Sequence, residues 1–338
     1  MDHTAPAPPA PRAAVRRLAP AFALVLLAPV CAEMLSGYDV TTGDPAGILA
    51  TILFGAALYG APALLIRETA RRAGLGWPGV LLLAAALGIV QAGIIDQSLF
   101  STGYRGIDYW DDMTVPTWID PLGISAAAAL TFVGGHVLWS FTAPIVLVEA
   151  IDAPGRQRPW LRVPGLAATS LLYFAAGAMV LRDHLRSESD HASPAQLAGA
   201  AAAAAVLIAL AFMSARRPPR STDRRVPPPA VLIPATAAAL FAASVSPTWT
   251  GFAVAAALVL AGGAAIAHWS RSRRWSRRHD VALAAGALLA VVLPSFLTDP
   301  LGETDPVAKY GHNLAMTALV AALSWWAMRR AAALAPPR

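Results

Sequence analysis

Residues 47–77 read GILATILFGAALYGAPALLIRETARRAGLGW, and this stretch decides the class of fold. Its first part, residues 47–66, carries no charged side chain and is long enough for a helix to cross a hydrocarbon core of about 30 Å. Arg67, Arg71 and Arg72 follow at once. An uncharged run that ends in clustered arginines is typical of a transmembrane helix whose end faces the cytoplasm.

Similar apolar runs recur along the whole chain of 338 residues, which is 57% hydrophobic and only 14% charged. Soluble domains carry about 25% charged residues. The pattern predicts an all-α, polytopic membrane bundle of ten transmembrane helices. The predicted spans are 18–36, 47–66, 78–100, 123–150, 163–181, 194–214, 229–246, 249–269, 280–297 and 310–328.

The basic residues alternate from loop to loop. All but four of the 26 Lys and Arg residues fall in alternate loops and in the two terminal segments; the exceptions are Arg105, Arg182, Arg186 and Lys309. The positive-inside rule therefore predicts a plasma-membrane protein with both termini in the cytoplasm. Because the arginines flank apolar runs, the net charge of +6 reflects insertion into a lipid bilayer, and no nucleic-acid partner is expected.

Composition divides the chain into two membrane units. Residues 18–152 form a predicted four-helix unit with a polar core, and residues 163–330 form a six-helix unit rich in Ala and Leu. Residues 153–162 are a predicted cytoplasmic linker between them. The terminal segments 1–17 and 331–338 are predicted cytoplasmic tails, and the first of them is expected to be disordered.

Polar residues inside the predicted spans concentrate in the first unit. Ionisable groups at membrane depth are expensive unless paired, so each is a candidate functional residue. Gln91 and His136 are predicted to lie at matching depth on antiparallel spans 3 and 4, and Ser140 shares the face of His136. Glu33 and Asp96 approach the opposite, non-cytoplasmic ends of their spans, where they line a polar vestibule or reach headgroup water.

Two further acidic residues near the cytoplasmic side are predicted to be structural. Glu149 is expected to form an interfacial ion pair beside Arg156 and Arg158. Glu68 and Arg72 have the spacing of an i,i+4 pair at a solvated helix end.

The extracytoplasmic loop 101–122 contains two tyrosines, two tryptophans and four aspartates. Interfacial aromatic residues commonly anchor helix ends. The alternative is a lid or a docking loop for a membrane-protein partner. Its acidic spacing does not match a calcium-binding loop.

Phe132-Val133-Gly134-Gly135-His136 resembles the Phe-x-x-x-His motif of the CPBP family, the CAAX-protease and bacteriocin-processing membrane proteins. The resemblance covers about residues 50–150. It implies an intramembrane fold in which glutamate and histidine activate water, with a metal. In the position of the family's paired glutamates, however, this chain has Gln91 and Ala92, and the later His-x-x-x-Asn motif is replaced by His312-Asn313.

A neutral amide can neither accept a proton in catalysis nor replace a carboxylate ligand. The resemblance therefore implies a non-catalytic relative without a cofactor, and His136 is the only candidate metal ligand. The candidate polar site comprises Gln91, His136, Glu33, Asp96, Ser140 and Phe132, with an unknown small-molecule ligand. Two alternatives stay open: a secondary transporter with a five-plus-five inverted repeat, and an active metal-dependent membrane hydrolase.

Overall fold

The computed structural model describes residues 11–152, 157–214 and 222–333. They form an all-α bundle whose long helices we number α1 to α10. The helices are Pro11–Pro29 continued by Val30–Met34 (α1), Pro45–Arg72 (α2), Trp77–Ile95 (α3), Ala126–Ile151 (α4), Val163–Ser187 (α5), Pro194–Met213 (α6), Pro229–Ser244 (α7), Trp249–Trp269 (α8), Arg277–Leu297 (α9) and Pro306–Ala333 (α10).

Seven of these helices are long and apolar enough to cross a membrane: α2, α3, α4, α5, α6, α8 and α9. The apolar parts of α1 and α7, Leu18–Met34 and Pro229–Ser244, are shorter. The prediction of an all-α membrane bundle is thus confirmed. The crossing of the membrane by all ten helices stays a prediction, as does the location of the termini. The first helix begins at Pro11, within the segment predicted to be a tail, and residues 1–10, 153–156 and 334–338 lie outside the described residues.

Each of the first four helices contains a π-helical segment, and the described parts of α5–α10 contain none. The segments are Val30–Met34, Ala56–Gly60, Gln91–Ile95 and His136–Thr142. Proline explains two of them. Pro62 and Pro144 have no N–H for the carbonyl four residues earlier, so the helix rearranges just before each ring. In α3 the π segment instead ends the helix, and Gln97 (φ 57°) turns the chain away.

Small residues allow α1–α4 to approach closely. A Cβ added to Gly60 would clash with the carbonyl oxygen of Val25, so α1 and α2 are in backbone contact there. Below this contact, towards the arginine-rich loops, a buried apolar core joins the four helices. The helices of the second predicted unit pack around the first: α5 on α2, α6 on α3, and α9 and α10 on α4.

Loops predicted to share one side of the membrane do lie together. The end of α2 contacts residues 160–161, Arg330 donates to the carbonyl of Ile151, and Arg274 pairs with Asp223. We call this end of the bundle the arginine-rich face. At the opposite end, the acidic face, Leu301 N–H donates to the carbonyl of Tyr38.

The loop between α3 and α4 is folded. It contains the one-turn helix Trp110–Thr114, a 3₁₀ turn at Val115–Thr117, and a hairpin of β1 (Trp118–Ile119) with β2 (Ile124–Ser125). Trp110 is buried, and its indole N–H donates to the carbonyl of Ser101. The loop is therefore packed against the acidic face.

Candidate functional site

The π segments of α1, α2 and α4 meet on the acidic-face side of the apolar core, and each contributes a polar side chain. The Tyr38 hydroxyl donates to a Glu33 carboxylate oxygen at 3.2 Å, and Tyr59 also hydrogen-bonds to Glu33. The ring of Tyr59 stacks on His136 with centroids 6.0 Å apart. His136 Nδ1 lies 3.2 Å from Ser140 Oγ. We call these five residues the π junction.

The sequence predicted Glu33, His136 and Ser140 and missed both tyrosines. Tyr59 lies in an apolar run, where an aromatic residue usually signals packing. Its one distinguishing signal is the Gly-Ala-Pro that follows it and places it in a π segment.

The surroundings of Glu33 are acidic. The charged groups that influence it most are Asp39 and Asp96, and no basic side chain in the described residues lies within salt-bridge distance of Glu33. Tyr38, in the segment after α1, responds to this charge: the Glu33 carboxylate, together with burial, raises the pKa of its phenol well above the usual value. Tyr38 therefore remains a hydrogen-bond donor at neutral pH.

Asp96 follows the π segment of α3 and accepts from the N–H of Ser98 at 2.9 Å. It lies near Tyr104 and Arg105, and burial together with the Asp96 charge raises the pKa of the Tyr104 phenol. Arg105 itself pairs with Asp183 at 3.0 Å. Asp96 thus lies at the rim of the π junction, and no salt bridge within the described residues includes it.

Gln91 does not hydrogen-bond to His136. It is 1% exposed, and its side-chain oxygen has no partner among the described residues. Gly88, one turn earlier on α3, lies against His136 instead: a Cβ there would be 3.1 Å from the Cβ of His136. Gln91 and His136 were predicted to lie at the same depth, but His136 lies level with Gly88, one turn earlier on α3. The packing of α3 against α4 sets this register.

The ring of Phe132, a residue of α4, packs against the loop rather than into the π junction. Its ring stacks on Trp110 at 5.5 Å, and Trp110 contacts Tyr104, whose ring stacks on His184. The predicted Phe-x-x-x-His spacing thus places Phe132 and His136 on one helix, but their rings have different partners.

The arginine-rich face holds an ion-pair network that extends beyond the predicted pairs of Glu149 and Glu68. Glu149 accepts from Arg67 Nε at 3.0 Å, from Arg71 Nε at 2.6 Å and from Arg71 Nη2 at 2.5 Å. Arg67 also donates to Glu68 at 2.6 Å and lies 3.5 Å from the ring centroid of Trp160. Glu68 further accepts from the backbone N–H groups of residues 160 and 161.

This network corrects two predictions. The partners of Glu149 are Arg67 and Arg71 of α2, because α2 and α4 are neighbours in the bundle. Of the two predicted partners, Arg156 lies outside the described residues, and Arg158 forms no salt bridge with Glu149 in the part of the chain that the structure describes. Glu68 does pair with Arg72, at 3.5 Å, but Glu68 is fully buried rather than solvated because residues 160–161 cover it.

The described residues contain no group of three or more His, Cys, Asp or Glu side chains that could hold a metal ion. Glu33, Asp96 and His136 therefore do not form the three-ligand centre that the hydrolase alternative requires. His136 is engaged with Ser140 and two aromatic rings, those of Tyr59 and Phe141.

A family model described as "Uncharacterized membrane protein family" matches residues 22–333. The chain belongs to this uncharacterized membrane protein family. The match extends from α1 to the end of α10, so the whole bundle, including both the π junction and the arginine-rich face, lies within the family domain. No curated protein and no solved structure matches the chain.

Membership of this family shows that the protein resides in a lipid bilayer. The matching family is not CPBP, so the CPBP relationship stays a prediction.

Proposed function

We propose that the protein is a non-catalytic membrane protein that binds a small organic cation at the π junction. The observation that carries this proposal is the convergence of three π segments on Glu33, a carboxylate with acidic neighbours and no basic partner among the residues that the structure describes. π segments occur frequently at functional sites because they release backbone groups and redirect side chains. A protonated amine would supply both the missing charge and the N–H donors that Glu33 can accept.

The absence of a family-type glutamate pair supports binding without hydrolysis. Gln91 and Ala92 offer no carboxylate, and the pair His136–Ser140 lacks a third group that orients the ring among the described residues. If the protein is related to CPBP, it is a relative that kept the helices around the site and lost the catalytic acids.

The transporter alternative is less well supported by the packing. In a five-plus-five inverted repeat, the contact of α3 with α6 would be mirrored by α8 with α1. Instead, α8 packs on α7 and on the start of α4. The two halves thus have different partners, which does not favour a repeat.

The proposal includes an orientation: ten spans in the plasma membrane, both termini in the cytoplasm, and the acidic face outside. Because Cys31 is the only cysteine, Cys31→Ala gives a background for single-cysteine labelling. A membrane-impermeant maleimide on intact cells should label Asp111→Cys on the acidic face and spare Arg273→Cys on the arginine-rich face. The reverse pattern would refute the orientation.

Binding is tested with n-butylammonium, titrated calorimetrically into the protein in lipid nanodiscs, with n-butanol as the uncharged analogue. Loss of a charge-assisted hydrogen bond is worth about 1.5–3 kcal/mol, so Glu33→Gln should weaken binding roughly tenfold or more. Glu303→Gln, an exposed acid on the same face, is the matched control and should leave the affinity unchanged. Equal affinities of the two variants, or equal binding of n-butanol, would contradict the proposal. Peptide cleavage that His136→Ala abolishes would contradict its non-catalytic part.

A further inference from the structure

Where the acidic-face end of α1 meets α10, three buried polar atoms have no hydrogen-bond partner in the described part of the chain. They are Ser36 Oγ, His312 Nδ1 and Asn313 Oδ1. His312 is 7% exposed and Asn313 is 1% exposed. Buried polar groups are paired in the great majority of cases, and leaving one unpaired costs about 1–3 kcal/mol. Three such atoms together indicate a place that something else fills.

The neighbouring bonds determine what these atoms offer. His312 Nε2 lies 2.8 Å from the carbonyl oxygen of Met34, which can only accept, so Nε2 carries the proton. In the neutral ring, Nδ1 is then an acceptor. The Asn313 amide nitrogen donates to the carbonyl of Ser295 at 3.0 Å, which leaves its oxygen as a free acceptor. Two of the three atoms are therefore acceptors, and the third is a hydroxyl that can also accept.

These acceptors and Glu33 belong to the same short stretch of chain. Residues 33–38 carry the Glu33 carboxylate and its donor Tyr38. The same stretch contacts α10: Met34 accepts from His312, and a Cβ on Gly37 would lie 2.8 Å from the Asn313 oxygen.

The nearest basic residue on α10 is already engaged. Lys309, one turn before Asn313, donates to Asp299 at 3.1 Å. The acceptors of α10 therefore have no protein cation in these contacts, and the donors must come from a ligand or from water.

We infer that Ser36, His312 and Asn313 form a second subsite of the cation site, so that the ligand is a diamine with one ammonium group at Glu33 and a second N–H donor group at α10. The inference rests on the proposed function. Neutral acceptors suit an N–H donor better than a divalent metal ion, which favours carboxylate oxygens. Glu33 and the contacts to α10 at Met34 and Gly37 belong to one short segment but to different residues of it, so a ligand of sufficient length is needed to reach both subsites.

The experiment compares n-butylammonium with α,ω-diaminoalkanes of three to eight carbons, by calorimetry in nanodiscs. One chain length should bind about tenfold more tightly than the monoamine. Asn313→Leu, which keeps the branched shape and removes the acceptor together with the amide donor to Ser295, should lower diamine affinity to that of the monoamine and leave monoamine affinity unchanged. Ser36→Ala should also lower diamine affinity. Its effect on fold stability, measured by thermal unfolding, should be smaller than that of Asn313→Leu.

The outcomes separate the two proposals. If no diamine exceeds the monoamine in the wild-type protein, the subsite is refuted and the acceptors are filled by water, while Glu33-dependent binding stands. If both substitutions reduce monoamine and diamine binding equally in folded protein, the subsite is refuted as well. If neither amine binds, the proposed function and the subsite both fail.

Discussion

Glu149 connects two helices of the bundle through buried ion pairs, and its neutralisation is expected to destabilise the fold. Its carboxylate accepts three hydrogen bonds, one from Arg67 and two from Arg71, both on α2. The side chains of Arg67, Arg71 and Glu149 are 0%, 11% and 7% exposed. The substitution Glu149→Gln preserves size and one acceptor oxygen but removes the charge that the two guanidinium groups share.

The size of the expected stability loss follows from the burial of these three side chains. Removing one partner of a buried pair costs about 3–5 kcal/mol, because the remaining charge is uncompensated. Arg67 keeps its bond to Glu68 at 2.6 Å, so part of the compensation survives. We therefore expect a loss of about 3 kcal/mol in the free energy of unfolding. The loss should be accompanied by greater exposure of Trp160, which lies against Arg67.

The assay is reversible denaturant unfolding in detergent micelles, followed by tryptophan fluorescence. Asp183→Asn is the matched control: Asp183 pairs with Arg105 at a similar distance, 3.0 Å, but the two side chains are 60% and 43% exposed. Screened surface pairs contribute about 0–1 kcal/mol. If Glu149→Gln loses no more stability than Asp183→Asn, the network does not hold α2 to α4, and the reasoning from burial is wrong.

Three further predictions test the acidic face. Gly37→Ala should destabilise the fold by roughly 1–2 kcal/mol more than Gly74→Ala. Both glycines have a positive φ (64° and 66°), but of the two only Gly37 lies against the Asn313 side chain. Thermal unfolding of the two variants checks this difference. The stability of the protein should fall as the pH rises above about 10, since the unfolded state then releases the Tyr38 proton that the native state retains, and Tyr38→Phe should reduce this slope. Trp110→Ala should cost about 3 kcal/mol and increase proteolysis between residues 101 and 122, whereas unchanged cleavage would show that this ring does not anchor the loop.

Charge and hydropathy were sufficient to predict the coarse fold. The uncharged run 47–66 and the arginines that follow it appear as α2, in which Arg67 is buried, and the predicted loops of each side lie together in the structure. These features depend on local properties, since each helix must form its own backbone hydrogen bonds and bury its own apolar surface in lipid. Glu33 and His136 could be selected for the same reason, because polar groups at membrane depth are conspicuous in a single sequence.

Partners could not be predicted, because they depend on which helices are neighbours and in which register. Sequence spacing suggested Arg156 and Arg158 for Glu149 and Gln91 for His136. Packing instead places Arg67 and Arg71 against Glu149 and Gly88 against His136. Tyr59 was not selected, because an aromatic residue in an apolar run is ordinary, and Asn313 was noted only as part of a motif with the wrong spacing.

By itself, then, the sequence determined a helical membrane protein with alternating charged loops and a polar first half. Tertiary structure decided that the π segments of α1, α2 and α4 meet at Glu33, that α10 adds buried acceptors beside it, and that ion pairs close the opposite end. The physical reason is that insertion responds to the hydropathy and charge of each segment in turn. A site, in contrast, requires side chains from several helices at one point, and only their packing brings those together.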